Sequence, residues 1–240
     1  MANGHWHLDP AHCVTVRTTE GSFDAYRATP AGECRGAIVV LHEVFGVNAD
    51  IRETCNELAD AGYLAIGPDL FWRLEPHIDL SVQSYTDWQK GLELYGRFDV
   101  DTGVRDVAST VDAARARSSA GHRVGVIGFC LGGLLTFLTA ARTQVDAAVA
   151  FHGARTDEFL AEASDIDAPM QIHLAEEDEF IPKEAQRRIA ATMAADPKAE
   201  VFSYAGCRHA FSRHGGEHFD AEAAHLSRSR TLTFFDRHLG

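Results

Sequence analysis

One thiol, one imidazole and one carboxylate in this chain have sequence settings suited to nucleophilic catalysis. Cys130 stands in Val124-Gly-Val-Ile-Gly-Phe-Cys-Leu-Gly-Gly133. This apolar strand pattern breaks at Gly128-x-Cys130-x-Gly132 and resumes as a helix. A nucleophile held on a sharp strand-to-helix turn needs neighbours without bulk two residues before and two after it, and glycine fills both places. The turn also sets Cys130 at a helix N-terminus, where backbone N–H groups and the dipole favour a thiolate and a developing oxyanion. Cys13, Cys34 and Cys55 lack that setting and read as structural thiols, as small apolar residues do. The spacing GxGxxG is absent and no Gly-Lys-Ser/Thr follows, so a dinucleotide or phosphate loop is not supported.

A cysteine nucleophile needs a histidine to take its proton and a carboxylate to fix the imidazole tautomer. When the nucleophile sits on such a turn, the chain order is nucleophile, acid, histidine. After Cys130 comes the strand-like Met170–Leu174, then the acidic loop Ala175-Glu-Glu-Asp-Glu-Phe-Ile-Pro182. Asp178 is favoured over Glu176, Glu177 and Glu179 because D-x-F-I-P reads as a turn into the next helix. Next comes Val201–Tyr204, then Gly206-x-x-His209-x-Phe211. Of the 13 histidines, His209 alone stands in that order just after the last core strand. His173 falls inside a strand and His152 precedes the acidic loop. Cys207 lies close to His209 but has no glycine turn.

These groups must be carried by strands that alternate with helices. Cys13–Thr18 and Phe23–Thr29 predict an antiparallel hairpin around Glu20-Gly21. Continuous apolar runs at Ala37–Leu41, Tyr63–Ile66, Arg123–Phe129, Val145–Phe151, Met170–Leu174 and Val201–Tyr204 predict strands covered on both faces. Helical spacing predicts helices over Asp50–Ala61, about Ser81–Tyr95, Asp101–Arg117, Leu131–Arg142, Lys183–Ala195 and Asp220–His238. The alternation implies an α/β class with a mostly parallel, doubly wound sheet flanked by helices. In such sheets ligands bind at the carboxyl ends of the strands, which is where Cys130, Asp178 and His209 fall.

The 240 residues suit a single domain, 1–240, with one core and ordinary globular composition. The formal net charge of −13 argues against nucleic acid or an anionic membrane as partner. Met1–Pro10 is polar and does not read as a signal peptide, and no apolar run is long enough to span a membrane. Five scattered cysteines without a CxxC pair argue against a zinc or redox motif and for reduced thiols in a cytoplasm.

Together these residues resemble the dienelactone hydrolase family of the α/β-hydrolase superfamily. Leu41-His-Glu-Val-Phe-Gly-Val-Asn48, Gly67-Pro-Asp-Leu70, Asp178 with Phe180 and Pro182, and His209-Ala-Phe-Ser-Arg213 extend the match over nearly the whole chain. The resemblance implies the α/β-hydrolase fold and hydrolysis of a cyclic ester bearing a carboxylate, in the breakdown of aromatic compounds, with no cofactor or metal. It implies that Glu43 contacts the nucleophile, that the amides of Val44 and Leu131 form the oxyanion hole, and that Arg213 binds the substrate carboxylate. The chain departs from the family at the place of a second arginine, where an ungapped match puts Trp88, and at a family tyrosine, where it puts Leu92. Trp88, with Phe45 and Trp72, then predicts a more apolar pocket. A broader carboxylesterase or thioesterase, and a catalytically silent ligand-binding protein, are the alternatives. The implied partner is a small ester or lactone, and the chain is expected to act as a monomer or dimer.

Overall fold

A computed structural model describes residues 6–118 and 123–240; of the polar N-terminal segment, Met1–His5 lies outside the described residues. The predicted hairpin forms β1 (Cys13–Arg17) and β2 (Ser22–Ala28), paired antiparallel. The alternating strands and helices follow: β3 (Ala37–Leu41), α1 (Ala49–Asp60), β4 (Leu64–Pro68), α2 (Tyr85–Arg97), α3 (Val100–Arg115), β5 (Val124–Phe129), α4 (Leu131–Arg142), β6 (Ala147–Phe151), β7 (Met170–Ala175), α5 (Lys183–Met193), β8 (Ala199–Tyr204) and α6 (Ala221–Leu239). They form one eight-stranded sheet in the order β1-β2-β4-β3-β5-β6-β7-β8. From β4 onward every neighbour is parallel, while β2 joins β4 antiparallel.

The central strands are buried along their length because both faces are covered. In β3, Ala37, Val39 and Leu41 point into one apolar layer with α3, α4 and α5, and Ile38 and Val40 into the other with α1 and α6. This is the period-two alternation of a strand expressed as two cores. Side-chain caps fix where several helices start. Asn48 accepts from the Ile51 amide, Ser84 from Asp87, Asp99 from Thr102 and Asp220 from Ala223. Among the described residues no helix is long and apolar enough to cross a membrane, and all five cysteines are free.

Register decides what meets at the carboxyl edge. Leu41 of β3 pairs with Gly128 of β5, and Phe129 of β5 pairs with Phe151 of β6. The residues that leave these strands, Glu43 and Val44, Cys130 and Leu131, and His152, therefore emerge side by side.

Candidate active site

Cys130 is the N-cap of α4 and adopts φ 53° and ψ −112°, a conformation that costs an L-residue about 1–3 kcal/mol and needs its surroundings to enforce it. The surroundings do so through close approach. A Cβ at Gly128 would lie 2.1 Å from the Gly132 carbonyl oxygen, and one at Gly132 would lie 2.2 Å from that of Leu41. The Cys130 amide donates to the Phe151 carbonyl at 3.1 Å and to His152 Nδ1 at 3.3 Å. Leu131 begins α4, so its N–H has no carbonyl within the helix to bond.

His209, on the loop after β8, is buried, and its Nδ1 lies 2.8 Å and 3.0 Å from the two Asp178 carboxylate oxygens. The Asp178 side chain is fully buried and its Oδ1 also accepts the amides of Phe180 at 2.8 Å and Ile181 at 3.1 Å. The neighbouring acids are employed elsewhere. Glu176 accepts from the Gly206 amide, Glu177 pairs with Lys183, and Glu179 accepts from the His209 amide and pairs with Arg208. Burial works to lower the His209 pKa, but the charge of Cys130 and the bond and charge of Asp178 outweigh it and raise it above the ordinary histidine value. With Nδ1 held by Asp178, the buried Nε2 is the nitrogen left to bond the Cys130 side chain, and that bond adds to the raised value. Catalytic contacts of this kind commonly tighten only when substrate binds.

Glu43 is buried and held by a bidentate pair with Arg213: Nε to Oε2 at 2.7 Å and Nη2 to Oε1 at 2.8 Å. His42 steadies this loop. The Leu70 amide donates to its Nε2, so its Nδ1–H donates to the Glu43 carbonyl at 2.6 Å. Burial pushes the His42 pKa down to about 4, so the ring stays neutral in that bridge. Val44 is clamped by α2, where a Cβ on Gly91 would lie 2.7 Å from the Val44 carbonyl oxygen.

An arc of aromatic rings joins the two functional ends. Arg213 lies over the Phe45 ring at 5.1 Å, and Phe45 meets Trp88 edge-on at 5.4 Å. Trp88 stacks on Phe180 at 6.1 Å, and Phe180 meets the His209 ring at 4.8 Å. Leu92 and Phe180 are exposed along this wall. Trp72 does not belong to it. Its indole N–H donates to the buried Asp106 at 2.8 Å and its ring lies against Phe23, so its place is structural, between β2 and α3.

Two further features were not read from the sequence. His152 touches both Cys130 and His209: it accepts from the Cys130 amide, and its ring centroid lies 4.4 Å from that of His209. Its pairing register, not any local motif, puts it there. Tyr95, two turns past Trp88 on α2, bonds to Arg155 and is near enough for the charge of Cys130 to help raise its pKa, after burial. Arg155 thereby brings a second guanidinium to this end of the sheet.

One potential ligand atom each from Glu43, His152 and His209 lie within 4.8 Å of one another. The donor set is already employed in a way that suits proton transfer. Asp178 holds His209 Nδ1, Arg213 holds both Glu43 oxygens, and His152 Nδ1 accepts from Cys130. A cation here would have to displace a guanidinium from its carboxylate.

Comparison with known proteins agrees with this architecture. The model of the dienelactone hydrolase family matches residues 23–239. A carboxymethylenebutenolidase of Pseudomonas putida is 33% identical over 222 residues, covering 92% of this chain and 94% of that protein. An Azospirillum brasilense protein provisionally described as a carboxymethylenebutenolidase is 40% identical over 225 residues, with 92% and 96% covered. A solved structure from Klebsiella pneumoniae, provisionally described as a dienelactone hydrolase, superposes with a TM-score of 0.81 at 26% identity, covering 94% of this chain and 97% of that one. With this fold and these relatives, the chain belongs to the dienelactone hydrolase family and is a hydrolase of lactone or ester bonds on the α/β-hydrolase scaffold.

Proposed function

We propose that this protein opens a cyclic ester through Cys130, His209 and Asp178, by way of a thioester on Cys130, in the breakdown of aromatic compounds. The observation that carries the reading is the buried His209, fixed through Nδ1 by Asp178 while the charge of Cys130 acts on the same ring.

The Glu43–Arg213 pair supplies a trigger. Both Glu43 oxygens are occupied by Arg213, so a substrate carboxylate that takes the guanidinium must release at least one of them. The freed carboxylate accepts the thiol proton and passes it to His209, and a thiolate–imidazolium pair forms. The thiolate attacks the ester carbonyl, and the amides of Leu131 and Val44 hold the oxyanion, each contributing about 3 kcal/mol. Ring opening releases an enolate that takes the proton from His209 and leaves as the enol, so the imidazole is neutral again. Water activated by His209 then hydrolyses the thioester. The reaction needs no cofactor, and a cytoplasmic setting suits a reduced thiol.

A second reading, a carboxylesterase of more apolar preference, is favoured by Trp88 at the place of the family's second arginine and Leu92 at that of its tyrosine, with Phe180 stacked on Trp88.

Alkylation and turnover test the proposal together. Iodoacetamide should label Cys130 stoichiometrically and substrate should protect it, while Cys130→Ala should abolish hydrolysis of both a dienelactone and a neutral aryl ester. Undiminished turnover by Cys130→Ala would remove the triad. The ratio of kcat/KM for the two substrates separates the lactonase from the general esterase.

A further inference from the structure

Behind the catalytic groups, between α1, α6 and the carboxyl ends of β5 and β6, lies a cavity of about 60 Å³. A water needs roughly 10–15 Å³ on this measure, so about four fit. At its inner end stand Glu43 and His152, both buried, and at its outer end the half-exposed Thr54, Glu57 and Leu232. The cavity thus runs from the surface to Glu43 and His152, the neighbours of Cys130 and His209, by a route that does not pass the aromatic arc of Phe45, Trp88 and Phe180, none of which lines it.

Two buried polar side chains in its wall are without partners, His152 Nε2 and Ser212 Oγ. His152 is 1% exposed and Ser212 7%. The tautomer of His152 follows from its one bond. Because Nδ1 accepts from the Cys130 amide, the neutral ring carries its proton on Nε2, a donor that a buried site does not leave unmet. His209 Nε2 is likewise buried; Cys130, which bonds the ring in the resting protein, has no proton to share once it is acylated, so Nε2 of the neutral imidazole is then an acceptor, its Nδ1–H pointing at Asp178. One ring nitrogen each of His152 and His209 and one carboxylate oxygen of Glu43 lie within 4.8 Å of one another. A water bonded to each at about 2.8 Å spans that gap. It accepts from His152 and donates to His209 and to Glu43.

We propose that this cavity is a water chamber that feeds the deacylation step, with His152 as the residue that orients the attacking water. The inference rests on the thioester reading above. With the acyl group on Cys130 and the front of the site covered by the substrate residue, water arrives from behind. Its oxygen bonds to the thioester carbon as its proton passes to His209 Nε2. The tetrahedral intermediate then collapses, the C–S bond breaks, and the sulfur leaves as a thiolate that recovers the imidazolium proton.

Filling the outer end tests this without touching the catalytic groups. Leu232→Phe and Thr54→Leu are each mixed with 4-nitrophenyl acetate and quenched rapidly, and the acetyl adduct on Cys130 is followed by intact mass. The adduct should form within about twofold of the parent rate and decay about tenfold more slowly. His152→Gln, which keeps an N–H, should retain faster decay than His152→Ala. Unchanged decay in both filled variants, folded by circular dichroism, would overturn the chamber, as would equal slowing of formation and decay. Failure to trap an adduct in the parent or any variant would instead remove the cysteine reading, and this inference with it.

Discussion

Asp178 does more than face His209: its Oδ1 is also the acceptor for two backbone amides, those of Phe180 and Ile181. An asparagine there would turn its carbonyl oxygen to those amides and present its NH₂ to His209 Nδ1, which must then become an acceptor. That places the imidazole proton on Nε2, the wrong side for a base. Asp178→Asn should therefore keep the fold and lower kcat by about 10³–10⁴-fold, measured on a neutral aryl ester, while an activity within tenfold of the parent would refute the orienting role. Cys130, Asp178 and His209 were legible because each follows its own strand in a fixed chain order and carries a local mark, the paired glycines for Cys130, D-x-F-I-P for Asp178 and G-x-x-H-x-F for His209. His152 carried no such mark. It reaches the site only because Phe129 and Phe151 are register partners, and pairing between strands is not written in either strand alone. A search for titratable residues one step past the strand next to the nucleophile strand would have found it.

At the scale of the element, α2 supplies the aromatic wall beside the site. Its N-cap Ser84 sets the helix phase, and Gly91 lets it sit against the Val44 carbonyl, so Trp88, Leu92 and Tyr95 are presented as one face. Substituting Trp88→Arg should raise kcat/KM for a carboxylated lactone relative to a neutral aryl ester by about tenfold, at a stability cost of about 1 kcal/mol for the lost contacts to Phe45 and Phe180. An unchanged ratio would mean that Arg213, with Arg155 nearby, already saturates anion recognition. The helices and strands themselves were read from periodicity to within a few residues. The placement of Trp72 was not, because an aromatic residue after a strand looks the same whether it turns to a pocket or, as here, to the buried carboxylate of Asp106.

Across the whole molecule, a formal charge of −13 surrounds a site in which guanidinium groups are held by dedicated acids. One network ties three distant segments together. The His214 amide and Nδ1 both meet Asp50 Oδ1, its Nε2 lies 3.0 Å from Glu57, and Arg228 pairs with Glu57 at 3.1 Å. The bonds to Asp50 and Glu57 push the His214 pKa up to about 9, against burial and the charge of Arg228. A raised histidine stabilises fully below its unfolded pKa of about 6.5 and loses that contribution as pH rises through its folded value. The parent should therefore exceed His214→Gln in stability by about 1–2 kcal/mol near pH 6, after allowance for solvent screening. The two should converge above pH 9, as urea midpoints would register, and a constant difference from pH 6 to 9.5 would refute the linkage.

The Glu43–Arg213 clasp joins positions 170 apart in the chain. During synthesis the Cys130 sulfur leaves the ribosome well before the His209 imidazole or the Arg213 guanidinium that holds Glu43. A half-made chain thus lacks the clasp and the buried imidazole alike, and the site is assembled only once the C-terminal segment closes over what was translated first.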